Sequence, residues 1–251
     1  MEPRVRHCLN CDEPLTDRFC AVCGQAAKVE RLTLRTLGQE VWQKLTSAEE
    51  GLPNLIRNLF RRPAMVCRHM VEGKRKRYSN PLSFVLLAVG LSSALNFWAC
   101  TRGGMIASEA PATIDAYQWQ FIGFMNRWFN VILFCSIPVN AFFSWLLYRG
   151  YGYNYAEHLL VNGLLRGASL LLFCVFTPLL RWYGDLWFTW IGIYFILWIG
   201  YFTFSYMGFF RTWGLMGAGR ALVGPVLTIV VVNSTMWLLF GIFHYRFFTS
   251  F

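Results

Sequence analysis

From residue 81 onward the chain runs in long apolar stretches broken by short polar joints. Five of them, 81–100, 128–149, 157–180, 185–209 and 221–243, come close to the about 20 residues that a helix needs to cross a bilayer. Pro138 lies inside the second. The aromatic segment 117–127 either extends that helix or lies at the membrane interface, and dividing 117–149 differently would give four or six spans. Upstream, apolar residues recur at helical spacing between polar ones. Leu34, Leu37, Val41 and Leu45 form one stripe, with Trp42 beside it; Leu52, Leu55, Ile56, Leu59 and Phe60 form a second. Thr36 with Gln39 and Ser47 with Glu50 have capping-box spacing, Thr33 being a competing start for the first. The stripes predict two amphipathic helices packed on the membrane body or lying in its interface. A surface that docks a partner is the alternative.

Composition sharpens the division. The chain is 56% hydrophobic and 14% charged, against about 25% charged in soluble domains. Residues 1–80 hold 15 of the 23 Lys and Arg and 9 of the 13 acids, so a polar, basic head precedes an apolar body. Seven basic residues lie between 61 and 77, ending in Lys74, Arg75, Lys76 and Arg77 just before Asn80-Pro81, which suits the start of a helix. A basic collar abutting a span faces anionic headgroups on the cytoplasmic leaflet rather than nucleic acid. Gly73 allows a sharp turn there, and Tyr78 adds a ring expected at the interface. The collar places the N-terminus inside, which with five spans leaves the C-terminus outside.

Within the head, Cys8-x-x-Cys11 and Cys20-x-x-Cys23 stand eight residues apart. Each pair puts two thiolates on one tight turn, and a short hairpin joins the turns into a tetrahedral zinc site. Gly24 after Cys23 suits such a knuckle; Asp12 after Cys11 is less typical. Four thiolates leave no open position, so the site is read as structural. His7, next to Cys8, is an alternative ligand. Cys67, Cys100, Cys135 and Cys174 stand singly and read as small apolar residues. The fold class expected is mainly α: a polytopic helical membrane protein of about five spans with a small N-terminal four-cysteine zinc ribbon. The divisions are residues 1–30 for the ribbon, 31–80 for the amphipathic helices and collar, and 81–251 for the transmembrane bundle.

The third span carries the polar chemistry. His158, Asn162 and Arg166 are spaced by four and share one helix face. Arg166 lies about 12 Å deeper than His158 at 1.5 Å per residue, where a lipid-facing charge is costly. It is therefore expected to face the bundle, with Gly163 and Gly167 allowing close helix approach. Candidate companions at that depth are Asn140, Asn233, Ser234 and Thr235. Lys74, Arg75, Lys76, Arg77 and Arg166 are the candidate lipid or anion ligands; Glu157, His158 and Asn162 form a candidate polar site. The fourth span is crowded with rings, among them Trp190, Tyr194, Trp198, Phe202 and Tyr206, read as packing and interfacial anchors.

Several of these motifs together resemble an uncharacterised family of bacterial membrane proteins with an N-terminal zinc ribbon. The matching pieces are the paired cysteines ending in Cys23-Gly24-Gln25, Arg62-Pro63, Glu72-Gly73-Lys74-Arg75-Lys76-Arg77-Tyr78, Asn80-Pro81 and Tyr155-x-Glu157-His158. The resemblance implies the architecture and the inner membrane of a bacterium, with no activity attached. There is no Gly-x-Ser-x-Gly, His-Glu-x-x-His or phosphate loop. The leading expectation is a non-enzymatic assembly, regulatory or accessory subunit with a cytosolic zinc head. Its partners would be anionic lipids and a cytosolic or membrane protein, or a second copy of the chain. The alternatives are a transporter or lipid-handling protein using the collar and Arg166, and an enzyme on a lipid phosphate using Glu157 or His158 as base.

Overall fold

A computed structural model describes residues 6–15, 17–27, 51–74, 78, 80–102, 115–182 and 187–248. The head is a two-stranded antiparallel hairpin, β1 (Arg6–His7) and β2 (Pro14–Leu15), with Arg6 opposite Leu15. A bridge between Phe19 and Ala26 closes the second turn. Two short helices follow, α1 (Leu52–Arg61) and α2 (Pro63–Val71). Arg62 has φ −144° and ψ 60°, outside helical space, so the chain bends between them. Pro53 and Pro63 sit in their first turns, where a missing N–H costs nothing.

Five long helices make the body: α3 (Pro81–Arg102), α4 (Ala116–Leu147), α5 (Tyr155–Trp182), α6 (Trp187–Phe210) and α7 (Leu215–Phe248). Four contain segments long and apolar enough to cross a membrane: Pro81–Ala99, Tyr155–Pro178, Thr189–Phe210 and Leu215–Ile242. The fifth apolar segment, Val131–Leu147, is shorter. The aromatic stretch before it continues the same helix, so α4 begins at Ala116, where Asp115 accepts a hydrogen bond from the Tyr117 N–H. This is a multi-pass helical membrane protein with a four-cysteine cluster ahead of it.

Helix α5 is the hub. It packs against α3, α4 and α6, and against α1 and α2 from the head side. Every residue from Leu160 to Leu170 is buried. The glycines explain how α3 gets so close. A Cβ on Gly167 would lie 2.5 Å from the Phe84 ring, and one on Gly163 would touch Val85. α3 and α7 are mostly open on their outer faces, as lipid-facing helices are. Asn80 caps α3 as its sequence predicts, its side-chain oxygen accepting from the Leu82 N–H at 3.0 Å.

The second amphipathic stripe packs on the body. Leu55 and Leu59 are fully buried, with Leu52 and Ile56 against the same core, and Tyr201 of α6 donates to the Leu59 carbonyl at 3.2 Å. The first stripe, with both candidate capping boxes, lies outside the described residues. Helix α2 was not anticipated within the collar. Its Val66, Cys67 and Met70 are buried against α6, and Arg68 donates to the Gly208 carbonyl at 2.5 Å. Gly208 has room for this contact only as glycine, since a Cβ there would stand 2.7 Å from Ala64. Tyr78 also departs from expectation: it is buried beside α2, its hydroxyl 3.1 Å from His69 Nδ1.

Candidate functional site

The two cysteine turns are built alike. In the first, the Cys8 N–H donates to Glu13 O and the Asp12 N–H to Cys8 O; in the second, Cys20 N–H donates to Gln25 O and Gly24 N–H to Cys20 O. Asp12 has φ 64° and Gly24 φ 69°, so the aspartate takes the left-handed conformation that the glycine adopts freely. The four sulfurs lie within 4.8 Å of one another, with Cys8–Cys23 and Cys11–Cys20 at 3.5 Å. Disulfide sulfurs would be about 2.05 Å apart. A tetrahedral ion at about 2.3 Å from each sulfur would need sulfurs about 3.8 Å apart, so the cluster fits a divalent metal. The Glu13 N–H draws the Cys11 thiol down, but burial and the neighbouring thiols outweigh it and hold it up at about 12. Burial raises Cys23; the Gln25 N–H, the Asn10 side chain and the thiols of Cys8 and Cys11 bring it down to about 6. His7 turns away, its Nδ1 2.9 Å from the Asp12 carbonyl oxygen.

The head is fastened to the collar. Gln25 follows the second turn directly, is buried, and donates from Nε2 to the Gly73 carbonyl at 2.9 Å. Gly73 has φ +90°, the sharp turn expected of it. Its neighbour Lys74 is in contact with Glu72 at 3.3 Å. Arg75, Lys76 and Arg77 lie outside the described residues.

In the body, two features read separately from the sequence prove to be one interface. The polar face of α5 meets the aromatic face of α6, which runs antiparallel, step by step. His158 stacks on Phe210 with centroids 5.6 Å apart. Asn162 Oδ1 accepts from the Tyr206 hydroxyl. The Arg166 guanidinium lies 4.7 Å from the Trp198 ring centroid and 5.7 Å from that of Phe202. Tyr194 donates to the Ser169 carbonyl at 3.4 Å. Both helices use spacings of three or four, so each polar residue finds a ring opposite. Helix α4 joins through Ser144, whose Oγ is 2.9 Å from His158 Nδ1 and accepts from Asn162 Nδ2 at 3.0 Å. Ser144 carried no signal in the sequence beyond a polar residue in a span.

The remaining polar candidates separate. Glu157 is buried and caps α5: its carboxylate accepts from the Asn154 N–H at 2.8 Å while Asn154 Oδ1 accepts from the Glu157 N–H at 2.9 Å. This reciprocal box was legible as Asn-x-x-Glu ahead of an apolar run. Asn140 does not join Arg166; it accepts from Thr228 at 3.0 Å and fastens α4 to α7. Asn233, Ser234 and Thr235 are exposed on α7, with Asn233 and Thr235 bonded to carbonyls one turn back. They are therefore not companions of Arg166 either.

A family model described as a protein of unknown function (DUF3667) matches residues 49–92, which cover α1, α2, the Gly73 turn and the first half of α3. No curated protein and no solved structure matches the chain. The matched segment is the one that receives the head through Gly73 and presses Phe84 against Gly167.

Proposed function

We propose that this chain is a multi-pass protein of the bacterial inner membrane whose zinc-loaded head lies in the cytoplasm, and that it works as a non-enzymatic accessory or regulatory subunit for a protein partner. The observation behind this reading is the closed set of four thiols, which leaves a bound ion no position for substrate, on a head tied to the collar by Gln25. Zinc is the metal best suited to four thiolates in a reducing compartment. Residues 1–30, 31–80 and 81–251 serve as head, collar and membrane bundle. The basic collar agrees with a cytoplasmic placement, while the joints add little, Arg149, Arg211 and Arg220 on its side being matched by Arg102, Arg127 and Arg181 on the other. Nucleic acid is not an expected partner. The test is affinity capture of the full chain after cross-linking in membranes, beside a variant lacking residues 1–30. A partner lost with the head supports the reading; a chain that is always recovered alone in both refutes it.

A second reading is favoured by one observation. Arg166 is buried in the bundle, and among the described residues no carboxylate pairs with it. A protein that handles anionic lipids or other anions would use that charge together with the collar residues Lys74, Arg75, Lys76 and Arg77. The enzymatic reading has less behind it, because Glu157 is committed to capping α5.

A further inference from the structure

Arg166 and Trp198 have one property in common. Both carry only hydrogen-bond donors, and both are buried, at 6% and 2% exposure. Among the described residues the indole Nε1–H of Trp198 has no acceptor, and the guanidinium, which makes no hydrogen bond there, lies over the faces of Trp198 and Phe202. The nearby hydroxyls of Tyr194 and Tyr206 donate to Ser169 O and Asn162 Oδ1, and neither accepts a hydrogen bond from the guanidinium. The guanidinium carbon is 4.7 Å from the centre of the ring that bears the free N–H, so the two donor groups are close neighbours. Rings stacked on a guanidinium satisfy part of its charge but none of its N–H groups.

We propose that Arg166 and Trp198 form a buried receptor for a monoanion, a deepening that rests on the anion-handling reading above. One cation in a low-dielectric interior is balanced by one negative charge, and a second negative charge would be left uncompensated. The group needs acceptor atoms alone, as a halide or a carboxylate has. Depth excludes the phosphate of an ordinary leaflet lipid. Arg166 is eleven residues into α5, about 16 Å at 1.5 Å per residue, or about half of a hydrocarbon core about 30 Å thick. The anion therefore arrives either free or as the carboxylate of an acid that is itself soluble in the bilayer. Trp198 is the positioning donor: its N–H fixes the side from which the anion meets Arg166.

The experiment uses the full chain in phosphatidylcholine nanodiscs, with radiolabelled oleate and radiolabelled iodide as probes in scintillation-proximity binding. The expected result is saturable binding of one probe at one site per chain. Iodide identifies a free anion and oleate a lipid-borne acid. Trp198→Phe keeps the ring under Arg166 and removes only the donor, so it should weaken binding about tenfold, the effect of one hydrogen bond to a charged group. Arg166→Met should abolish binding; should that variant misfold, Trp198→Phe decides alone. The proposal is overturned if neither probe saturates, or if Trp198→Phe binds as wild type does. Native mass spectrometry of phosphatidylglycerol separates the two levels. If that lipid is retained through Lys74, Arg75, Lys76 and Arg77 while neither probe binds, the buried receptor is wrong and the broader anion-handling reading stands. If both fail, both are wrong.

Discussion

Replacing Asn162 by alanine should loosen the join between α4, α5 and α6, because one amide holds all three. Its Nδ2 donates to Ser144 Oγ at 3.0 Å and to His158 O at 2.8 Å, and its Oδ1 accepts from Tyr206. The bond to its own helix is local; the other two cross between helices. Interhelical hydrogen bonds in membranes average about 0.6 kcal/mol and reach about 1.7, so the two together contribute about 1–3 kcal/mol. The buried Tyr206 hydroxyl also loses its partner, at a cost of about 1–3 kcal/mol where no substitute is found. A total of about 2–6 kcal/mol is expected for Asn162→Ala. Reversible unfolding in mixed micelles, or steric trapping in bicelles, measures it. Tyr206→Phe supplies the decisive comparison. Alone it should cost about 1–2 kcal/mol, since it orphans Asn162 Oδ1. In the Asn162→Ala background it should cost less, because the hydroxyl has already lost its Asn162 partner. A coupling of at least about 1 kcal/mol follows. Strict additivity of the two substitutions would refute the network as the source of the stability.

Purified protein should hold one zinc per chain, and Cys20→Ser should lower that content sharply; metal analysis showing full occupancy in the variant would exclude the cluster as the site. Gly208→Ala places a methyl against Ala64 and crowds the Arg68 contact, so a loss of about 1–3 kcal/mol is expected from overpacking. Gly167→Ala should behave likewise through Phe84. Burial pushes the Cys67 thiol from 9.0 up to about 12. The folded state therefore keeps a proton that the unfolded chain releases, and stability contributed by this group is present below pH 9 and lost as pH rises toward 12. Cys67 should resist maleimide in the folded protein at pH 8 and react on unfolding, which mass spectrometry of the peptide will show. Gln25→Ala should free the head, seen as faster hydrogen exchange at residues 69–74 with the zinc content unchanged.

Much of this protein could be read from local sequence because its determinants are local. A membrane span is decided by a run of apolar residues long enough to satisfy its own backbone in lipid. The cysteine turns are decided by a spacing of three, and the Asn80 cap by one side chain beside its own helix. His158, Asn162 and Arg166 could be placed on one buried face by counting in fours. What faces them could not be counted. Ser144, Tyr206 and Trp198 are 18, 44 and 32 residues from the side chains they meet, and an apolar helix shows no sequence preference for which face it turns to which neighbour. In lipid, hydrophobicity does not choose among helix partners; close packing and a few polar contacts do. For the same reason α2 was hidden inside a basic collar, since Arg68 reads as a surface charge until Gly208 is brought beside it. The sequence by itself determined the head, the spans and the polar face of α5. Only the tertiary structure decided that this face is matched ring by ring with α6, that Asn140 belongs to a different contact, and that Arg166 and Trp198 are left with donors to spare.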